Sequence, residues 1–306
     1  MRDEKTMAKP LSISTVWNSW RHPGARSMVA ELAGLGFERI ELNAFMPSRM
    51  VEEVHDMVRE GAVEVSSLHN YCPAPPLRRR EEPPSLSAPA ERERAWAVRN
   101  TLNTIDRARE LGASAVVLHL GAVPPSRSAR DLYAWIDAGG GGTPRYLRKK
   151  EKILLAREKR KSPYLRAVRK SLEELVPAAR SAGVRLGMET RYFPWEIPNL
   201  DEIEELWDGL DSRALGYWHD VGHAAVRENA GLERALSYLE RYGSRLVGLH
   251  IHDVEGTADH RVPGSGSVDF AVLRSAVGQE GVVPVIEVHP RETAAGIAGA
   301  REMLSA

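Results

Sequence analysis

Apolar and polar positions follow two periods along this chain. Short runs rich in Val, Ile and Leu have the length and composition of buried strands. The longer stretches between them space apolar residues three and four apart, as an amphipathic helix does. The runs predict strands at about 11–16 (LSISTV), 37–42 (FERIEL), 63–69 (VEVSSLH), 115–120 (AVVLHL), 184–189 (VRLGME), 214–219 (ALGYWH), 246–252 (LVGLHIH) and 282–288 (VVPVIEV). The helical pattern is carried by ARSMVAELAGLG, ERAWAVRNTLNTIDRARELG, SLEELVPAARSAG, GLERALSYLERYG and VDFAVLRSAVGQEG. Gly36, Gly112, Gly183, Gly243 and Gly281 precede strands, where a glycine suits a helix C-terminus with positive φ.

Strand and helix repeated eight times imply parallel strands joined by right-handed crossovers, and eight such units fit a (β/α)8 TIM barrel of about 250 residues. A doubly wound open sheet is the competing architecture. The count of eight, and the lack of a GxGxxG after the first strand, favour the barrel. The chain of 306 residues is therefore expected to be one barrel domain, 1–306, with its excess length in an insertion at about 122–162. Within and beyond that insertion DAGGGGTP (137–144) reads as a flexible joint. From Arg145 to Lys170 there are 12 Lys and Arg against Glu151 and Glu158, a local charge of +10. Such a helical segment is either a solvated pair of helices on the rim or a lid and platform for anionic ligands. CPAPPLRRREEPPSLSAPAERER (72–94) is expected to be irregular.

The strand ends carry the chemistry. His69 and His119 end the third and fourth strands, Glu189 the fifth, His219 and Asp220 the sixth with His223 three residues on. His250, His252 and Asp253 follow the seventh with His260 in the next loop, and Glu287 ends the eighth with His289 beyond. Eight of the ten histidines thus stand at or just past a strand end, on the side where barrels of this type hold their active sites. One such histidine alone reads as an ordinary hydrogen-bonded side chain. Three carboxylates and an imidazole together, Glu189, Asp220, Glu287 and His250, would repel unless a cation joined them. Mixed oxygen and nitrogen donors suit divalent Mn, Co, Mg, Fe or Zn. Alternation puts His250 and His252 on one face and Asp253 on the other, where it would cap a loop or orient a neighbouring strand. Trp17, Trp195, Tyr192 and Trp218 lie near the expected mouth and are candidates for stacking on a sugar ring.

Overall composition sets the surroundings. Hydrophobic residues make up 42% and charged residues 27%, and 42 Lys and Arg balance 42 Asp and Glu, so no global charge points to nucleic acid or a membrane. The single cysteine, Cys72, excludes an internal disulfide and fits a reducing, cytoplasmic setting. MRDEKTMAKP lacks the apolar core of a leader, and no run has the length of a membrane helix.

LHNY (68–71), LHLG (118–121), GMET (187–190), HDVGH (219–223), HIHDVEG (250–256), DHRVPGSGSVDF (259–270) and IEVHP (286–290), in this order and each on its own strand, resemble the xylose isomerase-like superfamily of (β/α)8 barrels. The resemblance spans nearly the whole chain outside the insertion. It covers sugar-phosphate isomerases and epimerases, ketose 3-epimerases, related dehydratases and endonuclease IV-type nucleases. By resemblance to the epimerase branch, Glu189, Asp220, His250 and Glu287 hold one divalent metal, and Glu189 and Glu287 also move the proton beside the substrate carbonyl. The nuclease branch adds ligands matching His69, His119, His223 and His260. It also uses an Asp where this chain has Ala258, with Asp259 one place off. His69, His119, His223, His252 and His260 are thus candidates for substrate binding or additional metal. The expected function is a divalent-metal-dependent isomerase, epimerase or related lyase acting on a small keto-sugar, polyol or sugar acid. The alternative is an endonuclease IV-like phosphodiesterase on abasic-site DNA. The expected partner is a small carbohydrate and not a membrane; nucleic acid belongs to the alternative, and a homo-oligomer stays open.

Overall fold

A computed structural model describes residues 11–76, 83–125, 129 and 131–305. MRDEKTMAKP, residues 77–82 of the Pro-rich loop and residues 126–128 and 130 of the insertion lie outside the described residues. All eight predicted strands form: β1 Ser12–Ser14, β2 Arg39–Leu42, β3 Glu64–His69, β4 Ala115–Leu118, β5 Arg185–Glu189, β6 Leu215–Asp220, β7 Leu246–Ile251 and β8 Val283–Ile286. Each pairs in parallel with its sequence neighbours, and β1 pairs with β8, so the sheet closes into a barrel and the open-sheet alternative falls away. Closure buries both faces of the strands, so residues of either parity are buried, the serines of β1 and β3 included.

The barrel interior is built by period two. Val117, Gly187, Trp218, Gly248 and Val285 each stand two residues before a mouth residue: His119, Glu189, Asp220, His250 and Glu287. They therefore face the axis one layer beneath it. Trp218 fills much of that layer and packs with Ala115, Val117, Val247, Val283 and Val285. Two glycines make room for its indole. A Cβ on Gly248 would lie 2.3 Å from the ring, and one on Gly187 3.0 Å.

The crossover helices follow the expected patterns at Ala25–Gly34, Glu91–Glu110 and Ser162–Ala182. Gly36, Gly112, Gly183 and Gly281 take positive φ as expected. Gly243 does not; at φ −58 it continues into a single 3-10 turn, so its role as a left-handed stop is corrected. VDFAVLRSAVGQEG forms only a 3-10 turn, Phe270–Leu273, and the four-residue helix Arg274–Val277, because Asp269 caps the turn at Ala271 and Gly278 follows close behind.

The insertion is not a loosely hinged lid. Gly139 and Gly142 do adopt positive φ, but Thr143 then caps the helix Pro144–Glu158, with Pro144 at its first turn. Tyr133, Tyr146 and Ile153 pack with Trp195, Val226 and Val254 in a second apolar cluster. Beneath the basic surface, Arg157 reaches inward to make two hydrogen bonds with Glu202, at 2.5 and 2.7 Å, and both side chains are buried. Cys72 sits in the main core, its backbone N–H donating to Thr104 Oγ1 and its thiol held well above the usual range by burial and by nearby Glu41. No helix among the described residues is long and apolar enough to cross a membrane.

Candidate active site and metal centre

The ends of β5, β6 and β8 converge on His250 at the end of β7. Its Nδ1 lies 2.8 Å from Glu189 Oε1, 3.1 Å from Glu287 Oε2 and 3.6 Å from Asp220 Oδ2. All four side chains are essentially buried. Their donor atoms lie close enough together to hold one metal ion. Asp220 Oδ2 is buried and accepts no hydrogen bond, an orphaned lone pair of the kind a cation satisfies. The donors are three oxygens and one nitrogen, which suits a borderline or hard divalent ion.

Burial alone would raise the carboxyl pKa values. Instead His119, His250 and His69 hold Glu189 well below the usual carboxylate range. His223, His252 and His250 do the same to Asp220, and His250 and His260 bring Glu287 down to about 2. Burial would lower His250, but Glu287 and Glu41 outweigh it and hold it well above an ordinary imidazole.

Two further groups flank this centre. His119 pairs with Glu189 Oε2 from the open side of the mouth, and His69 lies 3.8 Å from the same oxygen. Asp220, His223, His252 and His260 form the other group. His223 Nδ1 is 3.3 Å from Asp220 Oδ2, and its backbone N–H donates to Asp220 Oδ1 at 2.6 Å. His252 Nε2 is 2.9 Å from Asp220 Oδ1, while its Nδ1 accepts the backbone N–H of His260 at 2.8 Å. With Nδ1 accepting, the ring proton sits on Nε2 and faces the carboxylate, so His252 is arranged as a donor to Asp220. Gly222 leaves space for that ring, since a Cβ there would meet it at 2.0 Å.

Asp259 does join the site. Its Oδ2 lies 3.4 Å from His223 Nε2 and 3.2 Å from His260 Nδ1. In a regular strand neighbours point to opposite faces. Here the hairpin Asp253–Glu255/Ala258–Arg261 is irregular and His260 takes φ +54, which lets Asp259 and His260 turn toward one cluster. Its turn is clamped from outside: Asp137 of the insertion accepts from Thr257 N and Oγ1 at 2.9 and 2.6 Å, and Tyr192 Oη donates to Thr257 O at 2.6 Å.

Other expectations need correction. His219 faces away from the mouth; its Nδ1 meets Tyr217 Oη at 2.6 Å, and burial lowers it to about 4. His289 is exposed and its Nδ1 accepts from Arg291 N. Six of the eight strand-end histidines therefore gather, and two do not. Asp253, by contrast, caps a loop as its alternation suggests, accepting from the N–H groups of Gly264, Gly266 and Val268. Trp17 and Trp218 are buried in the fold, and Trp195 stacks on Phe193, so these three are packing residues, although Trp218 also meets the His250 ring edge-on at 5.0 Å from the layer beneath; Tyr192 meets the His223 ring edge-on at 5.7 Å. Two residues went unread in the sequence. Arg191, directly after the GMET motif, donates to Glu189 Oε2 at 2.9 Å and to Glu196 Oε1 at 2.6 Å. Glu41, in the predicted strand FERIEL, approaches His250 from the opposite side.

The likeness to known proteins follows the same outline. Residues 29–305 match the family model of the xylose isomerase-like TIM barrel. An uncharacterized protein, y4fM, of Sinorhizobium fredii is 23% identical over 285 residues, covering 86% of this chain and 81% of that protein. The uncharacterized protein MJ1311 of Methanocaldococcus jannaschii is 28% identical over 127 residues, which cover 38% of this chain and 41% of that protein. Among solved structures, a D-tagatose 3-epimerase-like protein superposes with a TM-score of 0.66 at 20% identity, covering 96% of this chain and 95% of the other. A 3-keto-D-glucoside 4-epimerase, YcjR, from E. coli does so with 0.67 at 15% identity, covering 96% and 98%. At these identities the solved structures speak for the fold, and the match of the family model over nearly the whole barrel carries the assignment: the chain belongs to the xylose isomerase-like TIM-barrel family.

Proposed function

We propose that the protein is a divalent-metal-dependent isomerase or epimerase acting on a small keto-sugar, polyol or sugar acid. The observation that carries this is the convergence of Glu189, Asp220 and Glu287 on Nδ1 of His250, with Asp220 Oδ2 left without a hydrogen bond. These four residues would hold the metal. Bound there, a divalent cation stabilises the negative charge that develops on a carbonyl oxygen as the neighbouring carbon loses its proton. The names of the structural neighbours, a tagatose 3-epimerase-like protein among them, agree with a carbohydrate substrate.

Glu189 and Glu287 enter the mouth from β5 and β8, with β6 and β7 between them. Both are held ionised, so either can take a proton from a carbon beside the carbonyl. The partner on the opposite face then returns one. His260 Nε2, 3.6 Å from Glu287 Oε2, is the nearby proton source for that carboxylate. Arg191 fixes Glu189 in place, and His69, His119 and His223 are left to bind substrate hydroxyls.

The test is proton exchange. Metal-loaded protein incubated with ketoses in D2O is expected to place deuterium on the carbon beside the carbonyl. Glu189→Gln and Glu287→Gln are each expected to lose at least about a hundredfold in that rate, as loss of an acid–base group does. Wild-type exchange rates in both folded, metal-loaded variants would overturn the mechanism.

A second reading is kept by one observation. The His69–His119–Glu189 and Asp220–His223–His252–His260 groups adjoin the first, and Asp259 completes the latter. Adjacent metal ions in such groups would suit phosphodiester hydrolysis. Two or three bound ions, with cleavage of an abasic-site duplex, would replace the isomerase reading.

A further inference from the structure

Glu41 is fully buried on β2 and takes no part in any group of the described residues that can hold a metal ion. Its carboxylate nevertheless lies against the site. Both oxygens face Nε2 of His250, at 3.1 and 3.3 Å, while Ser67 Oγ donates to Oε2 at 2.8 Å. The imidazole is thus held between two sets of acids. Its Nδ1 is turned to Glu189, Asp220 and Glu287, and its Nε2 to Glu41 alone. Arg191, the cation that braces Glu189, makes no bond to Glu41.

A neutral imidazole carries one proton. To offer a lone pair on Nδ1 it must keep that proton on Nε2, and the acceptor at Nε2 decides whether it does. A carboxylate is a stronger acceptor than a carbonyl, and it also makes the ring a better electron donor. A buried carboxylate costs free energy unless something polar meets it. Here the partners are a serine hydroxyl and this ring.

We infer that Glu41 is a positioning residue for the metal centre: it accepts the Nε2 proton of His250, fixes the ring, and aims the Nδ1 lone pair into the Glu189–Asp220–Glu287 group. Ser67 holds the carboxylate in the orientation that does this. The inference rests on the reading of that group as a metal site. It assigns a function to an acid that neither the strand-end pattern nor the ligand motifs single out.

The experiment compares Zn²⁺ affinity, by chelator competition, in wild type, Glu41→Gln, Glu41→Ala and Ser67→Ala. Melting temperatures are measured in EDTA and with Zn²⁺. Loss of such a partner is expected to cost Glu41→Ala about 10–100-fold in affinity. Glu41→Gln, whose amide oxygen still accepts but carries no charge, should fall between it and wild type, and Ser67→Ala should lose less. The rise in melting temperature on adding Zn²⁺ should shrink in the same order. In 15N-labelled, Zn²⁺-loaded wild type, His250 should show a proton on Nε2 whose resonance moves upfield in Glu41→Gln. A role in packing alone would lower the EDTA melting temperature and leave affinity and resonance unmoved. Should Glu41→Ala not fold, Glu41→Gln and Ser67→Ala carry the comparison. Zn²⁺ affinities within about twofold of wild type across these variants would overturn the role of Glu41 and leave the metal reading standing. Failure of wild type to bind Zn²⁺ would overturn the metal reading itself.

Discussion

At the scale of single residues, the two histidines of HIHD illustrate how little spacing alone decides. His250 and His252 stand two residues apart at the end of β7, yet their nitrogens are committed differently. His250 turns Nδ1 to three carboxylates, whereas His252 accepts a backbone N–H on Nδ1 and so keeps its proton toward Asp220. His250→Ala is therefore expected to lower metal content by at least about 100-fold in affinity, more than the loss expected for an outer partner. His252→Ala should retain most of the metal; equal loss in the two purified variants, measured by elemental analysis, would contradict this assignment. The three acids and one histidine of the central group were legible because each lies in a motif of metal-ligand residue types at the end of a predicted strand. Glu41 was not, since FERIEL continues to Leu42 and a glutamate inside a strand looks like a solvent-facing position. Asp259 was hidden for another reason: the irregular hairpin and the positive φ of His260 break the alternation on which the reading relied.

At the scale of elements, the barrel was readable because eight apolar runs alternate with helical patterns, and closure needs no information beyond their number and order. What could not be read is which loops brace one another. The hairpin after β7 carries Asp259 and His260, and its turn is held by Asp137 from a segment more than a hundred residues earlier. Asn229 adds a bond to Gly256 O at 2.8 Å. Asp137→Ala removes two hydrogen bonds, both to buried Thr257, and is expected to cost about 1–3 kcal/mol. More tellingly, limited proteolysis should speed up within 255–261, and KM should rise while kcat changes less, because the hairpin positions site groups rather than performing the proton transfer. Unaltered cleavage and kinetics would show that Tyr192 and Asn229 suffice.

At the scale of the whole molecule, the charge count left the role of the basic segment undecided. A stretch with a local charge of +10 after a run of glycines reads equally as a solvated helix pair or as a lid, and here its inward side is apolar and its Arg157 is spent on buried Glu202. Side-chain direction on a helix, not net charge, decided the outcome. Arg157→Met should destabilise the fold by about 3–5 kcal/mol, because Glu202 would be left buried without its partner. Removing 139–162 should go further, uncover Trp195 and Val226, and abolish soluble barrel instead of only raising KM. A stable deletion variant with a melting temperature near that of wild type would refute this, and with it the proposal that barrel and insertion form one domain. Finally, Cys72 turns the core into a clock. Its thiol is shut inside and resists ionisation, so an alkylating reagent finds nothing to attack while the barrel stays closed. With one sulfhydryl in the chain, each labelled molecule records a single excursion of this region into solvent. The pace of labelling thus reports how often the neighbourhood of Glu41 comes open, with no engineered probe needed.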